Sequence, residues 1–482
     1  MMETSDILLL LLSLIISLLF LHVTKLRRRN SQIPNQILDA EGQIKGNNNL
    51  PPGNTGWPFF GESLDFFSNF QHQTPQNFVL ERCRKYSSKI FKTSILGEKV
   101  VVFSGAEGNR FVFSNQKTLL KHWYAASVAK LFGKNSKVMN DNEQTQMGRK
   151  FLSSILKGDA LKSYVVIFDA TIKELLSQFD ENSENGQMMM MNDHQIREKL
   201  AEKYTITSAC KIFLGMESNV EKINAHEQSI KVMLNGLFSL PVNLPGFALN
   251  RAINESKALL KEIETMIRER KNMIDDAKCS NNVVNDLLSE MIQPTDGGYS
   301  KVVHDVGTAL LGLLAASYLG IRITAINVLK HLAEFPEIYD LVLKEQEEIA
   351  SSKSTETITW EDVRKMKYSW NVVCETLRLA PTSIGGFKEV MMNFDYEGYM
   401  IPKGWKIHWN TNATHWNPEY FPNPEKFDPS RFEGDGPIPY TYVPFGGGLH
   451  TCPANEFTKF AILIFLHNVV ISSGGKRKFS MA

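Results

Sequence analysis

The stretch from Pro444 to Ala454, PFGGGLHTCPA, constrains the fold of this chain more than any other. Three consecutive glycines precede a single cysteine, Cys452, and a strongly apolar run from Phe457 to Val470 comes after it. Glycines allow a backbone to pass close to a flat ligand because they carry no Cβ atom. A helix that begins just after Cys452 directs its positive end at the sulfur, which favours the thiolate over the thiol. The stretch predicts a rigidly held thiolate at a helix N-terminus.

The loop alone allows two interpretations of Cys452. A thiolate at such a position is the type of proximal ligand that holds iron in haem monooxygenases. A single cysteine in an intracellular protein can equally be a small buried hydrophobe without a chemical role. The rest of the chain has to decide between them.

Composition narrows the class of protein. The 482 residues are long enough for one large domain or for two or three smaller ones. A net charge of +1 provides no basic excess to neutralise phosphates, which argues against a nucleic-acid partner. The cysteines are odd in number and scattered without a CxxC pair, which is typical of a reducing compartment and of neither a disulfide framework nor a zinc site. They are Cys83, Cys210, Cys279, Cys374 and Cys452.

The N-terminus predicts a membrane anchor. Ile7 to Val23 carries no charge and lies at the short end of the lengths that span a bilayer. Lys25 and the run Arg27 to Arg29 lie after it, whereas Glu3 and Asp6 precede it, so the C-terminal side is expected in the cytosol. A cleaved signal peptide is the competing interpretation, but its charges normally precede the apolar core. This order of charges favours an uncleaved signal anchor.

The chain then divides into segments of different composition. An Asn- and Gln-rich tether leads to the stiff Pro51-Pro52-Gly53 hinge, which sets the orientation of the main segment. Four segments are predicted: 1–29 as anchor and basic flank, 30–53 as linker and hinge, 54–470 as the main domain, and 471–482 as a short polar tail.

The main segment alternates between helical and strand patterns. Glu375 and Arg378 form an acid–base pair one turn apart on one of the predicted helices. The predicted elements, in chain order, are a helix at 77–86, a hairpin of 89–96 and 99–103 around Gly97-Glu98, a loop at 180–193, a long central helix at 305–335, a helix at 368–379, strands at 394–399 and 405–409, and a Pro-rich meander at 421–432.

These features, in this order, resemble a cytochrome P450 from Pro51 to Val470. The segments PPGNTGWPFFGESLDF, MKYSWNVVCETLRLAP, IPKGWKI and FPNPEKFDPSRFEGDGPIPYTYVPFGGG are similar to plant terpenoid oxidases of the β-amyrin 28-oxidase type, with taxane hydroxylases next nearest. The resemblance implies a mainly α fold with small β-sheets, forming one large cytosolic domain behind the transmembrane anchor.

The resemblance also implies an activity. The implied activity is that of a haem-thiolate monooxygenase, which hydroxylates or oxidises a cyclic terpenoid, either a triterpenoid or a diterpenoid. Dioxygen and electrons from an NADPH-dependent cytochrome reductase would be consumed. The implied partners are this reductase, the apolar terpenoid and the bilayer, with no nucleic acid, and the implied location is the endoplasmic reticulum membrane, crossed once.

Site residues carry over position by position. Cys452 would be the axial ligand of the haem iron, and Glu375, Arg378 and Arg431 would form a buried structural network. Trp123 matches an aromatic near the haem, although an ordinary core tryptophan fits the same position equally well. The residues implied to bind the cofactor are Cys452, Phe445, Gly446, His450, Trp123, Arg149 and Lys388, of which Arg149, Lys388 and His450 would face the haem propionates.

Two departures concern the cofactor loop and the central helix. The family loop has Arg where this chain has His450, and Gly where it has Ala454. The central helix of the family carries an acid–alcohol pair that helps to deliver protons during dioxygen activation, and Leu319 and Gly320 replace it. Ser317 and Tyr318 are the remaining candidates for holding a water on the oxygen side.

The third departure is the short C-terminus, where a family β segment is expected and residues 471–482 are polar. Together the departures favour an alternative function, a catalytically impaired or non-catalytic haem-binding relative. Isomerisation of a hydroperoxide is a further variant that needs no proton relay to dioxygen.

Overall fold

The computed structural model describes residues 49–57, 61–71, 74–132, 151–180, 193–216, 219–237, 239, 242–277, 287–292, 303–353 and 355–474. The predicted anchor, most of the linker, Arg149, the loop at 181–192 and the tail beyond Gly474 lie outside these residues. The described chain is mainly helical with small sheets, which confirms the predicted fold class.

The helices succeed one another with short connections. In chain order they are α1 Ser63–Gln71, α2 Pro75–Tyr86, α3 Gly105–Ser114, α4 Ala126–Phe132, α5 Ala160–Asp180, α6 His194–Leu214, α7 Val220–Leu237, α8 Ala248–Ala277, α9 Leu287–Ile292, α10 Val303–Glu334, α11 Pro336–Ser352, α12 Trp360–Lys365, α13 Lys367–Leu379, α14 Thr411–His415 and α15 Asn455–Gly474. Two 3₁₀ turns lie at Pro429–Phe432 and Gly448–His450.

The strands are short. They are β1 Ile90–Ile95, β2 Glu98–Phe103, β3 Leu120–His122, β4 Gly385–Val390, β5 Phe394–Tyr396, β6 Tyr399–Ile401 and β7 Lys406–Asn410. By contacts the chain divides into two compact units, Met1–Phe103 with Glu389–His408, and Ser104–Lys388 with Trp409–Ala482.

In the first unit, β1 and β2 form the predicted antiparallel hairpin, with Ile90 opposite Phe103 and Ile95 opposite Glu98. The turn therefore consists of Leu96 and Gly97, one residue earlier than the predicted Gly97-Glu98 turn. Both turn residues have positive φ, 55° and 79°, as a tight two-residue hairpin turn requires. Within this unit, the first residues of β7, Lys406 to His408, lie next to β2 in the sheet.

The strand predicted at 394–399 is instead a small hairpin. Residues of β5 pair antiparallel with β6, from Phe394 opposite Ile401 to Tyr396 opposite Tyr399. Glu397 and Gly398 form the turn, with φ of 48° and 78°. The alternating pattern indicated extended backbone correctly, but it did not reveal the reversal because Glu397 is an unusual residue for a left-handed φ.

In the second unit, α10 runs through the main hydrophobic core and packs against α6, α8 and α15. Leu310, Leu311 and Leu314 are fully buried on one side of the helix. Among the described residues, α10 is the one helix long and apolar enough to cross a membrane. Half of its most apolar stretch is buried within the protein. Its position agrees with the prediction of a core helix.

The last helix, α15, is buried from Phe460 to Val470 without interruption. Burial on all sides, rather than on one stripe, is typical of a helix inside a large core. The Tyr204 hydroxyl donates a hydrogen bond of 2.7 Å to the carbonyl of Ala461, which fixes α6 against α15. The helix ends at Gly474, four residues after the end of the apolar run at Val470.

Candidate functional site

Helix α13 carries a buried ion pair that holds the meander in place. Glu375 and Arg378 are both fully buried, and two hydrogen bonds of 2.7 and 2.8 Å join the guanidinium to the carboxylate. Arg378 also donates to the carbonyls of His415, Pro424 and Lys426 at 2.9, 2.7 and 3.2 Å. Because every one of these acceptors lies downstream of α13, the arginine organises the segment that leads to the cysteine loop.

Arg431 joins the same carboxylate from the meander. Its Nε lies 3.3 Å from Glu375 Oε1, an ion pair whose angle does not make a directed hydrogen bond. The backbone N–H of Asp428 donates to the same oxygen at 2.9 Å. Arg431 also donates to the carbonyls of Pro422 and Asn423. The structure thus brings together Glu375, Arg378 and Arg431, the three residues of the predicted network.

His415, which the sequence did not single out, connects this network to the cysteine loop. Its Nε2 accepts a hydrogen bond of 2.9 Å from the N–H of Val443, so Nδ1 carries the proton and faces the carbonyl of Arg378 at 3.2 Å. Complete burial lowers the pKa of His415 to about 3, which keeps the ring neutral as this pattern requires. The sequence signal that could have indicated His415 was its place in the chain between the Glu375–Arg378 pair and the cysteine loop.

The cysteine loop is folded by its own backbone. The N–H of Cys452 donates to the carbonyl of Phe445 at 2.9 Å, and the N–H of Gly446 donates to Val443 at 3.0 Å. Gly446 and Gly448 have φ of 70° and 69°, a region that favours glycine. Cys452 is half-buried, and α15 begins three residues after it, so the helix N-terminus lies beside the cysteine as predicted.

Phe113 on α3 explains two of the three glycines by close packing. A Cβ atom at Gly447 would overlap the Phe113 ring, and one at Gly448 would overlap the Phe113 carbonyl oxygen. The side chain of Gln116 then holds the loop from both directions, because its amide donates to Gly447 and its carbonyl accepts from the N–H of His450 at 3.0 Å. Glycines were expected here because they let a flat ligand approach the backbone. The close packing of Phe113 is a second reason for glycine at positions 447 and 448.

Three basic side chains converge two residues before the cysteine. Lys388 on β4 is 3% exposed, and its Nζ lies 2.9 Å from Nδ1 of His450. The same Nζ lies 3.2 and 3.5 Å from the two ring nitrogens of His122 on the neighbouring strand β3. The rings of His122 and His450 are 3.8 Å apart between centroids. We call these three residues the basic cluster.

Trp123 and Phe445 occupy different surroundings. Trp123 packs edge-on against Phe387 with the ring centroids 5.6 Å apart. Phe445 lies at the edge of the main core and presents its carbonyl to Cys452. Of the seven predicted cofactor residues, the structure brings Lys388 and His450 together and places Phe445 and Gly446 in the cysteine loop. Arg149 lies outside the described residues.

Helix α10 has one face that the described part of the chain buries only partly. Along this face the residues are half-exposed or exposed, in contrast to the buried leucines behind them. A Cβ atom added at Gly312 or Gly320 would meet no atom of the described residues within 4 Å. The face is almost entirely apolar and consists of Gly312, Leu313, Ala316, Leu319, Gly320 and Ile323, with Ser317 at its edge.

Tyr318 is directed away from this face. It is 1% exposed, and its hydroxyl donates to Glu202 on α6 at 3.0 Å. Arg322 pairs with the same carboxylate at 3.2 Å and lies over the tyrosine ring. Burial raises the pKa of Tyr318 far above its usual value. The hydroxyl of Tyr318 is therefore directed towards α6, whereas Ser317, the other predicted candidate for an oxygen-side water, lies beside the apolar face.

A family model, Cytochrome P450, matches residues 51–472. The chain belongs to the cytochrome P450 family. This assignment confirms the resemblance inferred from the motifs, and with it the expectation of a haem-thiolate monooxygenase.

Similar proteins place this P450 near plant triterpenoid oxidases. Beta-amyrin 28-monooxygenase from Solanum lycopersicum is 42% identical over 88% of the chain and 87% of its own length. Cytochrome P450 716A2 from Arabidopsis thaliana is 42% identical over 88% of this chain and 86% of its own length. Beta-amyrin 6-beta-monooxygenase from Solanum lycopersicum is 41% identical over 88% of this chain and 86% of its own length. Among solved structures, retinoic acid-bound cyanobacterial CYP120A1 is 27% identical with a TM-score of 0.75, over 88% of this P450 and 92% of that chain.

The residues of this P450 fit a thiolate-ligated haem. The cysteine loop offers a sulfur ligand on a backbone fixed by Gln116 and by the Phe445 carbonyl. The basic cluster offers nitrogen donors for the two carboxylates, and α10 offers an apolar face with open space at Gly312 and Gly320. These are the three kinds of contact that a flat apolar ring with two acidic groups and one iron requires.

Proposed function

We propose that this P450 oxidises a cyclic terpenoid, with a triterpenoid favoured over a diterpenoid. The observation that carries the proposal is the apolar face of α10, in which small residues leave open space at Gly312 and Gly320. A rigid polycyclic hydrocarbon needs such a wide, smooth surface and offers few groups for hydrogen bonding. The names of the relatives, which oxidise beta-amyrin at two different carbons, support the same class.

Haem, when bound, supplies the activation of dioxygen, and the protein supplies position and surroundings. Cys452 would be the iron ligand, with Phe445 and Gly446 shaping the loop around it. Lys388 and His450, together with Trp123 and Arg149, would hold the edge of the ring that carries the carboxylates. Glu375, Arg378 and Arg431 would keep the meander and the cysteine loop rigid, since a fully satisfied buried network resists deformation.

The test is substrate binding and then turnover. Full-length protein in microsomes with an NADPH-dependent reductase is titrated with beta-amyrin and with a taxane-type diterpene, and the Soret band is recorded. We expect a blue shift and an oxidised product with the triterpene. Neither a shift nor a product with any member of a triterpene and diterpene panel would contradict the proposal.

We also propose that Ile7 to Val23 anchors the protein once in the endoplasmic reticulum membrane and that the catalytic part faces the cytosol and the reductase. The charge order around this stretch supports the orientation. Full-length protein is expected to resist alkaline carbonate extraction from membranes. A variant lacking residues 1–29 is the comparison, and equal extraction of both would count against the anchor.

A second candidate function is a haem-binding protein with impaired turnover. The observation that favours it is Leu319 on the apolar face of α10, where the family carries an acid, with Gly320 in place of the alcohol. Neither side chain can hold or move a proton. The double variant Leu319→Asp/Gly320→Thr is expected to raise the fraction of NADPH that yields product. An unchanged fraction in a variant of unchanged stability would argue against this candidate.

A further inference from the structure

We infer that three exposed apolar side chains of the first unit, Trp57, Leu64 and Leu96, form a patch that rests on the lipid bilayer. We call these residues the tryptophan–leucine patch. The inference rests on the proposed anchor at Ile7 to Val23, and it adds a second contact with the same membrane, made by the folded part of the chain. This contact fixes the orientation of the first unit on the lipid surface, which a single anchor on a linker does not do.

Backbone hydrogen bonds bring the patch together at the turn of the β1–β2 hairpin. The N–H of Leu96 in this turn donates to the Ser63 hydroxyl at 2.7 Å, which sets the turn beside the first residues of α1. Trp57 and Gly61 exchange two backbone hydrogen bonds of 3.0 and 2.8 Å, and Gly61 also pairs with Ile95 at the end of β1. The three members of the patch therefore lie at one corner of the first unit.

The patch is exposed although its backbone is fixed. Trp57 and Leu64 are 70% and 72% exposed. On either side of Leu64 in the sequence, Glu62 and Asp65 both pair with Arg82 of α2, which holds the start of α1 with Leu64 outermost. Single apolar residues are ordinary on a surface, whereas several that share one rigid corner mark a binding surface.

Leu96 is an unfavourable residue for its own turn. Its φ is 55°, a region that bulky side chains avoid, and a turn of this kind prefers asparagine or glycine there. The residue is 39% exposed, so packing within the protein offsets only part of this cost. A strained residue of this kind indicates a role outside the folding of the hairpin. An apolar side chain at an exposed turn gains free energy when it leaves water for lipid.

The route of the chain identifies the bilayer as the partner. The 25 residues from 24 to 48 connect the predicted anchor to Asn49, and a random coil of that length spans about 25–30 Å. The chain joins the first unit where the N–H of Lys92 donates to the Pro52 carbonyl at 2.8 Å. Lys92 lies four residues before Leu96, on the order of 13 Å along a strand. The patch therefore lies within reach of the surface that holds the anchor, and tryptophan concentrates at such interfaces.

The test is quenching of a fluorophore by lipid, on the full-length, haem-loaded protein in phosphatidylcholine nanodiscs. Leu64→Cys and Leu96→Cys are labelled with an environment-sensitive dye, and lipids with a nitroxide on the acyl chain are the quencher. We expect the emission at both positions to fall at least about twofold, because both side chains enter the interface. Leu341→Cys on α11 replaces a leucine that is 52% exposed and is the matched control, and labelled parent protein gives the background from the native cysteines.

Leu14→Cys in the predicted anchor separates the patch from the anchor. Quenching at Leu14 without quenching at Leu64 and Leu96 would overturn the inference and leave the anchor in place. Quenching at the patch without quenching at Leu14 would support the patch and contradict the anchor. A dye on the patch whose emission is shifted to the blue but unquenched would show that protein, such as a second copy of the chain, covers it. That result, or equal quenching at Leu341, would also overturn the inference.

Leu96→Asn adds a test that a purely structural role of the turn does not predict. Asn-Gly is the preferred sequence of this turn, so we expect the variant to unfold at a higher temperature than the parent. With the dye at Leu64, the same variant should lower the ratio of membrane-seated to free protein about tenfold, because withdrawing a leucine from water contributes about that factor. A rise in thermal stability without a change in this ratio would overturn the role of Leu96.

Discussion

At the scale of single residues, Arg378 and His415 show how the site is held. Arg378 is fully buried, and its donors reach one carboxylate and three carbonyls. His415 then transmits this order to Val443 in the cysteine loop through its neutral ring. Both residues act on the backbone, since Arg378 fixes the meander and His415 fixes the start of the cysteine loop.

Arg378→Lys tests the network. A lysine retains the charge but cannot donate in a fork to Glu375 and to the carbonyls of Pro424 and Lys426 at once. We expect a loss of about 3–5 kcal/mol in stability, as for a broken buried ion pair, and poor retention of haem. Lys426→Arg changes a side chain at the surface and is the control. A thermal transition of Arg378→Lys equal to that of the parent would contradict this role.

Gly447→Ala tests the close approach of Phe113. The added methyl would overlap the aromatic ring, and overpacking of this kind costs about 1–3 kcal/mol. The methyl group of Gly312→Ala on α10 meets no described atom within 4 Å and should instead stabilise the helix by up to about 1 kcal/mol. Thermal unfolding of both variants measures the contrast. Combining Gly447→Ala with Phe113→Ala should relieve the overlap, and no relief would indicate another cause.

At the scale of elements, α10 divides into two faces with different functions. Tyr318, Arg322 and the leucines fix its position against α6 and the core, whereas the apolar face remains accessible. The sequence predicted the existence and length of this helix from its periodicity. It could not tell that Tyr318 is directed backwards, because the partner Glu202 lies 116 residues away in the chain.

Ser317→Ala and Tyr318→Phe separate the two faces. Tyr318→Phe removes a hydrogen bond to Glu202 and should lower stability by about 1–2 kcal/mol without changing how much NADPH yields product. Ser317→Ala should lower this yield and leave stability nearly unchanged, because Ser317 is the hydroxyl at the edge of the accessible face. Product formed per NADPH and the unfolding midpoint are measured for both. A lower product yield for Tyr318→Phe together with a loss of stability for Ser317→Ala would contradict the assignment of the two faces.

At the scale of the whole molecule, buried histidines link stability to pH. Burial lowers the pKa of His331 to about 4, of His415 to about 3 and of His467 to about 4. Unfolded histidines have a pKa of about 6.5, so below that pH the unfolded chain binds protons that the folded chain refuses. Stability is therefore fully present above about pH 6.5 and falls as the pH decreases towards 4.

This linkage predicts a loss of about 1.4 kcal/mol per pH unit for each such histidine between about pH 6.5 and pH 4. Denaturant unfolding at several pH values measures the slope. His467→Gln should reduce the slope while retaining a partner for Gln346, which accepts from the His467 ring at 2.7 Å. A slope that is identical in the variant and the parent would argue against the contribution of His467.

Much of the fold could be predicted from the sequence, and Cys452 stays the predicted axial ligand. Helix α13, the meander and the cysteine loop carry strong local patterns, namely the spacing of Glu375 and Arg378 and the glycines that precede Cys452. Gln116 and His415 were not predicted because their contacts join segments far apart in the chain, such as that of Gln116 with His450. The ends of elements differ from the sequence patterns by one to four residues. Examples are the hairpin turn at Gly97 and the end of the last helix at Gly474, where strand pairing and burial override local preference.

Ligation of haem iron by Cys452 is the claim on which the site depends most directly. The decisive measurement is the absorption spectrum of the purified, reduced protein after addition of carbon monoxide, recorded for the parent and for Cys452→His. We expect a strongly red-shifted Soret band in the parent, because a thiolate ligand donates charge to the iron, and its loss in the variant. A parent spectrum without this band, or a variant that keeps it, would contradict the assignment of Cys452.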